Sequence, residues 1–201
     1  MTSKCLSKPA AAVAALLLLC GLARAQETRE VEITDGALNI SFAPPPGCNA
    51  LPEKAMAAAF AGQPVKYGCV TPGEGTSVFV LVSASDGTKR GFADFERGFK
   101  DGVKQGDPAV RFKRRVVSLN GDKWVVLSYT QGRGDAAVAN DVYMIDWAGH
   151  VVVFDFLAPP SKYESSRAAR EESAKSVGMS ITVNAPAAAA TPDTPGGTRQ
   201  N

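Results

Sequence analysis

His150 is the single histidine among 201 residues, which excludes any metal site or relay that needs two imidazoles. Asp146 and Asp155 lie on either side of it, the residue types a general base and its orienting carboxylate would use. No Gly-x-Ser-x-Gly elbow accompanies them. The expectation is therefore a strand-end histidine with an ordinary surface hydrogen bond, and no catalytic residue. Asp135, Asp141 and Asp146 lack the alternating loop spacing of a calcium site, so neither metal nor cofactor is expected. Gly73-Glu74-Gly75 lacks the Lys-Ser/Thr of a phosphate loop and reads as a turn.

Two further groups carry chemistry of another kind. Cys48 and Cys69 lack Cys-x-x-Cys spacing, and with His150 they make only three of the four ligands structural zinc wants. In an oxidising compartment the even pair most simply forms one disulfide; two free buried thiols are the alternative. Arg111, Lys113, Arg114 and Arg115 form the densest basic run, within a stretch (89–123) of ten basic and five acidic residues. On a strand, Arg111, Lys113 and Arg115 share one side and Val110, Phe112, Arg114 and Val116 the other. That side could dock an acidic partner or anionic headgroups; the plainer reading is a solvated face paired with nearby carboxylates. Arg133-Gly134-Asp135 is a chance tripeptide in a loop, and the sequon Asn39-Ile40-Ser41 falls within a strand. Trp124, Tyr129, Tyr143, Trp147 and Phe154 are read first as core and second as the lining of a small-ligand pocket.

Residues 1–25 read as a secretory leader. Lys4 and Lys8 open it, Ala10 to Ala23 form a 14-residue apolar run, and Ala23-Arg24-Ala25 offers small-x-small cleavage before Gln26. The run is short of the roughly 20 residues a membrane span needs, so no transmembrane segment is expected in the mature chain. Leu17-Leu18-Leu19-Cys20-Gly21 resembles a lipobox, but Leu19 is not the small residue that motif wants; lipid anchoring through Cys20 is the alternative to a free periplasmic or secreted protein. The net charge of +2 belongs to the leader, whose three cations face no acid. Charge balance thus gives no reason to expect nucleic acid as a partner.

The elements that must position these groups follow from periodicity. Val31 and Ile33, then Leu38, Ile40 and Phe42, alternate with polar residues around Asp35-Gly36, which predicts a hairpin stopped by Pro44-Pro45-Pro46. A short helix is expected over 52–61 and strands over 65–71 and 76–83. Phe92, Phe95, Phe99 and Val103 line one face of a helix over 91–105, where Gly98 and Gly102 suggest close packing on a sheet. Four strands (110–119, 123–131, 140–147, 150–157) with Asn120-Gly121 and Ala148-Gly149 turns predict an antiparallel meander. Val151 to Val153, unbroken by polar residues, suggests a strand covered on both faces. A last helix is expected from Ser161, with Glu164 completing a capping box, to about Val177. Residues 184–201 carry no large apolar side chain and read as a disordered tail.

Gly36-x-Leu38-x-Ile40-x-Phe42 running into Pro44-Pro45-Pro46-Gly47, Gly121 with Trp124, Tyr143 to Phe156, and Ala158-Pro159-Pro160-x-x-Tyr163 before a closing helix with Ser176 and Ser180 together resemble the Mog1/PsbP-like fold. Within it they resemble the DcrB-type periplasmic proteins of bacteria. Cys48 stands where the family opening usually carries an aromatic residue. The resemblance spans residues 30–182 and implies an α+β domain (26–183): an antiparallel sheet with helices on both faces. It also implies a non-enzymatic binding or accessory role, with an envelope protein as partner. A carrier of a small apolar ligand is the second reading.

Overall fold

The computed structural model describes residues 30–182. The leader, with Cys20 and the Ala25–Gln26 cleavage point, and the tail 184–201 lie outside the described residues.

β1 (Val31–Asp35) and β2 (Leu38–Phe42) form the expected hairpin, in register from Val31 opposite Phe42 to Asp35 opposite Leu38. Gly36 turns it with φ +64°, a conformation glycine takes without penalty. Leu38, Ile40 and Phe42 point inward and are almost completely buried. The sequence ends the closing helix at about Val177 and gives Met179 and Ile181 beyond it no element of their own. They instead form β10 (Gly178–Ile181), which pairs antiparallel with β2 and completes a three-stranded sheet.

A seven-stranded antiparallel sheet holds the rest, in the order β3-β4-β5-β9-β8-β7-β6. Its strands are β3 (Asn49–Ala50), β4 (Val65–Thr71), β5 (Thr76–Ala84), β6 (Lys113–Leu119), β7 (Asp122–Gln131), β8 (Val138–Trp147) and β9 (His150–Ala158). The last four make the meander read from the sequence. β9 runs between β5 and β8, so Val151, Val152 and Val153 are covered on both faces.

One face of this sheet (Val80, Trp124, Val126, Tyr143, Phe154, Phe156) packs on the three-stranded sheet and the closing helix. On the other, α2 (Lys89–Gly106) lays down Phe92, Phe95, Phe99 and Val103. The short α1 (Glu53–Ala59) brings Met56 onto Phe79 and Leu157, beside Phe60 just past its end. Helices thus cover both faces. Gly102 is buried, as close packing requires, whereas Gly98 is exposed with open space at its Cβ position, so it does not serve that purpose.

Two expected boundaries move. β6 begins at Lys113, not Val110, because Asp107 holds a turn open before it. Its carboxylate accepts from Ala109 N and Gly132 N, each at 3.0 Å. The closing helix is two pieces, α3 (Pro160–Tyr163) and α4 (Arg167–Lys175). Pro160 occupies the first helical position with Pro159 as cap, so Ser161 falls inside the helix and the Ser161–Glu164 box does not form. The hydroxyls of Ser165 and Ser166 donate to Lys162 O at 3.1 and 2.7 Å, competing with continuous helical bonding.

Cys48 and Cys69 are bonded, with Cα atoms 5.5 Å apart. The bridge ties the chain entering β3 to β4 and closes the loop carrying α1. With a sequence separation of 21, its removal is expected to lower stability by about 3 kcal/mol on the chain-entropy estimate. Urea unfolding of Cys48→Ser with Cys69→Ser checks this, and the wild type under reductant should show the same loss.

Candidate functional site

The basic run does not act as one face. Its three strand residues divide among three environments. Arg114 turns toward α2, where its Nε donates to both oxygens of Glu96 at 3.0 and 3.2 Å. Lys100 pairs with the same carboxylate. Burial pushes the Glu96 carboxyl up, but the Lys100 and Arg114 hydrogen bonds outweigh it and hold it below the usual range. Arg115 turns the opposite way. Its Nη1 donates to Ser128 Oγ at 3.0 Å, and Nη2 lies 3.9 Å from Asp141 Oδ1. Lys113 lies on the Arg115 side and makes no ion pair among the described residues. Arg111 precedes β6, so it does not share the strand side expected for it. Its guanidinium folds back onto the carbonyls of Ala109 and Val110 at 3.3 and 3.2 Å.

The side holding Lys113 and Arg115 is one wall of a groove of about 400 Å³, lined also by Val117, Leu119, Tyr143, Arg167, Glu171 and Lys175. β6 supplies the edge of the sheet and α4 the opposite wall. Arg167, Glu171 and Lys175 recur at i, i+4, i+8, which sets them along one helical stripe. Arg167 Nε donates to Glu171 Oε1 at 2.9 Å, and that bond holds the Glu171 carboxyl below its usual range. Lys175 pairs outward with Glu172 at 2.9 Å. Four cations therefore flank one carboxylate over an apolar floor of Val117, Leu119 and the Tyr143 ring.

The β6–β7 turn fixes this groove at one end. Asn120 and Gly121 adopt φ +52° and +90°, the primed turn that Asn-Gly favours. Asn120 Nδ2 then donates to Lys175 O and Val177 O at 2.9 and 2.7 Å, satisfying carbonyls that the end of α4 leaves open. At the other end, Arg170 of α4 is anchored to Asp141 of β8 at 3.2 Å. One open edge of the sheet is β6 itself, and Val116 on it is 53% exposed. Its row of Lys113, Arg114 and Arg115 is the usual protection of such an edge against indiscriminate pairing.

The remaining residues singled out in the sequence fall apart in space. His150 Nδ1 lies 3.1 Å from Ala148 O, Asp146 accepts from Ser85 Oγ at 2.8 Å, and Asp155 lies beneath α2 in a cavity lined in part by Phe99 and Gly102. No general-base arrangement is assembled among them. Asp135 lies in a 3-10 turn (Gly134–Ala136), and Asp141 is buried on the α4 side. The five aromatics do not line one pocket: Trp124, Tyr143 and Phe154 belong to the core on the α4 side, with Trp147 packed against it, while Tyr129 belongs to the α2 side. Arg167 and Lys175 were not legible as site residues, since they stand some fifty positions from the basic run; the i, i+4 stripe was their one signal.

No family model matches the sequence, and no curated protein matches it. Among solved structures, cyanobacterial PsbP (CyanoP) from Synechocystis sp. PCC 6803 superposes with a TM-score of 0.55 at 13% identity, covering 82% of this chain and 99% of that one. The fold is Mog1/PsbP-like. The Ran-binding protein Mog1p of Saccharomyces cerevisiae matches at 15% identity and a TM-score of 0.48, over 75% of this chain and 94% of its own. LpqN of Mycobacterium tuberculosis, described as involved in cell envelope biogenesis, matches at 16% identity and 0.49, over 75% and 90%. At such identities the likeness is one of fold, and a fold does not fix a function.

Proposed function

We propose that this chain is an exported, non-catalytic accessory module that docks an acidic segment of a cell-envelope protein in the groove between β6 and α4. The observation that carries the reading is the charge pattern there, with Lys113, Arg115, Arg167 and Lys175 set against Glu171 over an apolar floor. Complementary charge steers encounter and fixes register, while the apolar floor supplies burial. A protein segment suits the site better than a lipid surface, because a concave groove beside a sheet edge meets an extended chain and not a plane. Export rests on the leader ending at Ala25. The disulfide fits an oxidising compartment. No helix of the described residues is long and apolar enough to cross a membrane.

The docking contacts are Lys113, Arg167 and Lys175, with Arg115 held by Ser128 and Asp141 as a fixed charge at the groove wall. Arg111 takes no part. Lys113→Glu with Lys175→Glu alters two exposed side chains; losing the Lys175–Glu172 pair at the end of α4 should lower stability by about 1 kcal/mol, too little to unfold the protein. Binding of a fluorescent Glu/Asp-rich peptide, followed by anisotropy, should weaken at least about tenfold in that variant and fall with added salt. Equal affinity for both proteins, or binding indifferent to salt, would remove the groove from the account.

A further inference from the structure

On the opposite face of the sheet, beneath α2, lies a cavity of about 60 Å³ whose walls include Phe60, Phe79, Phe99, Tyr129, Asn140 and Asp155. It is separate from the groove and stands independently of the docking proposal. Asn140 is 1% exposed. Its Nδ2 donates to Val138 O at 3.2 Å, which fixes the amide so that Oδ1 faces elsewhere. That oxygen is buried and accepts no hydrogen bond from the protein, and the same is true of Asp155 Oδ1. Register brings them together. Asn140 lies opposite Leu157 and Asp155 opposite Val142, so the two are diagonal neighbours on one face, within about 8 Å across the strands.

Two sealed acceptors that accept no hydrogen bond are costly unless something donates to them. The lining holds no cation; its other polar side chains are Tyr129, Gln63 and Gln131. A carboxylate or phosphate would meet Asp155 with nothing to offset its charge. An ammonium group brings three donors and the complementary charge, and aromatic faces favour it further. The space admits about four or five water-sized groups. We propose that this cavity binds a small primary alkylamine, its ammonium head shared between Asp155 Oδ1 and Asn140 Oδ1 and its short alkyl tail among Phe60, Phe79 and Phe99.

The test is a titration of n-butylammonium chloride into the full-length protein at pH 8, followed by amide NMR, with 1-butanol and sodium butyrate as matched probes. Burial, with a lesser contribution from the Asp141 charge, lifts the Asp155 carboxyl to about 7, so at pH 8 it is mostly anionic. The amine should shift residues 129, 140, 155 and 99–103 and saturate at millimolar concentration; butanol should bind at least about tenfold more weakly, and butyrate not at all. Asp155→Asn keeps the shape, removes the charge and should reduce amine affinity at least about tenfold. The absence of saturable shifts, equal binding of butanol, or an unchanged affinity in the variant would overturn the proposal. The comparison among the three probes uses the wild type alone, so it holds even if the variant fails to fold.

Discussion

Replacing Arg170 with Met should cost the folded state about 3–5 kcal/mol, the usual loss when one partner of a buried ion pair is removed. Arg170 and Asp141 are 3% and 4% exposed. Arg170 Nη2 donates to Asp141 Oδ2 at 3.2 Å and Nη1 to Tyr163 O at 2.7 Å, while the guanidinium lies 4.3 Å from the centre of the Tyr163 ring. On the other oxygen, Asp141 accepts from Ser128 and Tyr163 at 2.5 and 2.8 Å. With the arginine gone, those hydroxyls remain but a buried carboxylate loses its nearest cation; Arg115, at 3.9 Å, compensates only in part. Adding Asp141→Asn to Arg170→Met removes the orphaned charge and should restore more than about 1 kcal/mol. Urea unfolding of the two variants reads the difference. A loss below about 1 kcal/mol for Arg170→Met would mean that water reaches Asp141 and that the pair does not anchor α4.

A second large effect belongs to Asp155, and its sign is opposite to that of most carboxylates. Its Oδ1 is sealed from solvent, and burial followed by the Asp141 charge raises its carboxyl from 3.8 to about 7. A group whose folded value lies above its unfolded value stabilises the protein fully at pH below about 4, and that contribution is lost as pH rises through about 7. The shift sets an upper bound of about 4 kcal/mol on the loss. Asp155→Asn should therefore raise the thermal midpoint at pH 8 and flatten the decline between pH 4 and 8. Glu96, Asp86 and Asp107 are held low by their hydrogen bonds, so they produce the reverse slope only in acid, below about pH 5. Melting curves at pH 5 and pH 8 separate the two. Parallel behaviour of variant and wild type would show that Asp155 is solvated.

The parts of the fold legible in the sequence are those with local periodicity. Asp35-Gly36 and Asn120-Gly121 mark their hairpins because positive φ needs those residues. The Phe92–Val103 stripe marks α2 because a helix repeats about every 3.6 residues. What was missed depends on contacts distant in sequence. β10 is four residues long, and only its pairing with β2 makes it a strand. Pro159 and Pro160 start α3 where a capping pattern at Ser161 points one residue later, and the break before α4 lies at the two serines whose hydroxyls return to Lys162 O.

The same division holds for the site. Lys113 and Arg115 are visible in a dense basic run, but Arg111 does not share their side because the Asp107 turn shortens β6. Arg167 and Lys175 look like the ordinary solvent face of a helix until α4 is laid against β6. Asp155 is a lone carboxylate in the apolar run from Val151 to Leu157; its place in sequence suggests a partner for His150, whereas strand alternation sends it under α2.

Site-specific photo-crosslinking from the intact envelope of the native host tests the docking account most directly. A benzophenone amino acid at position 113 or 175 should trap an envelope protein through an acidic segment, and the same probe at position 97, on the exposed outer face of α2 across the sheet, should not. Equal trapping from all three positions, or crosslinks confined to position 97, would contradict it.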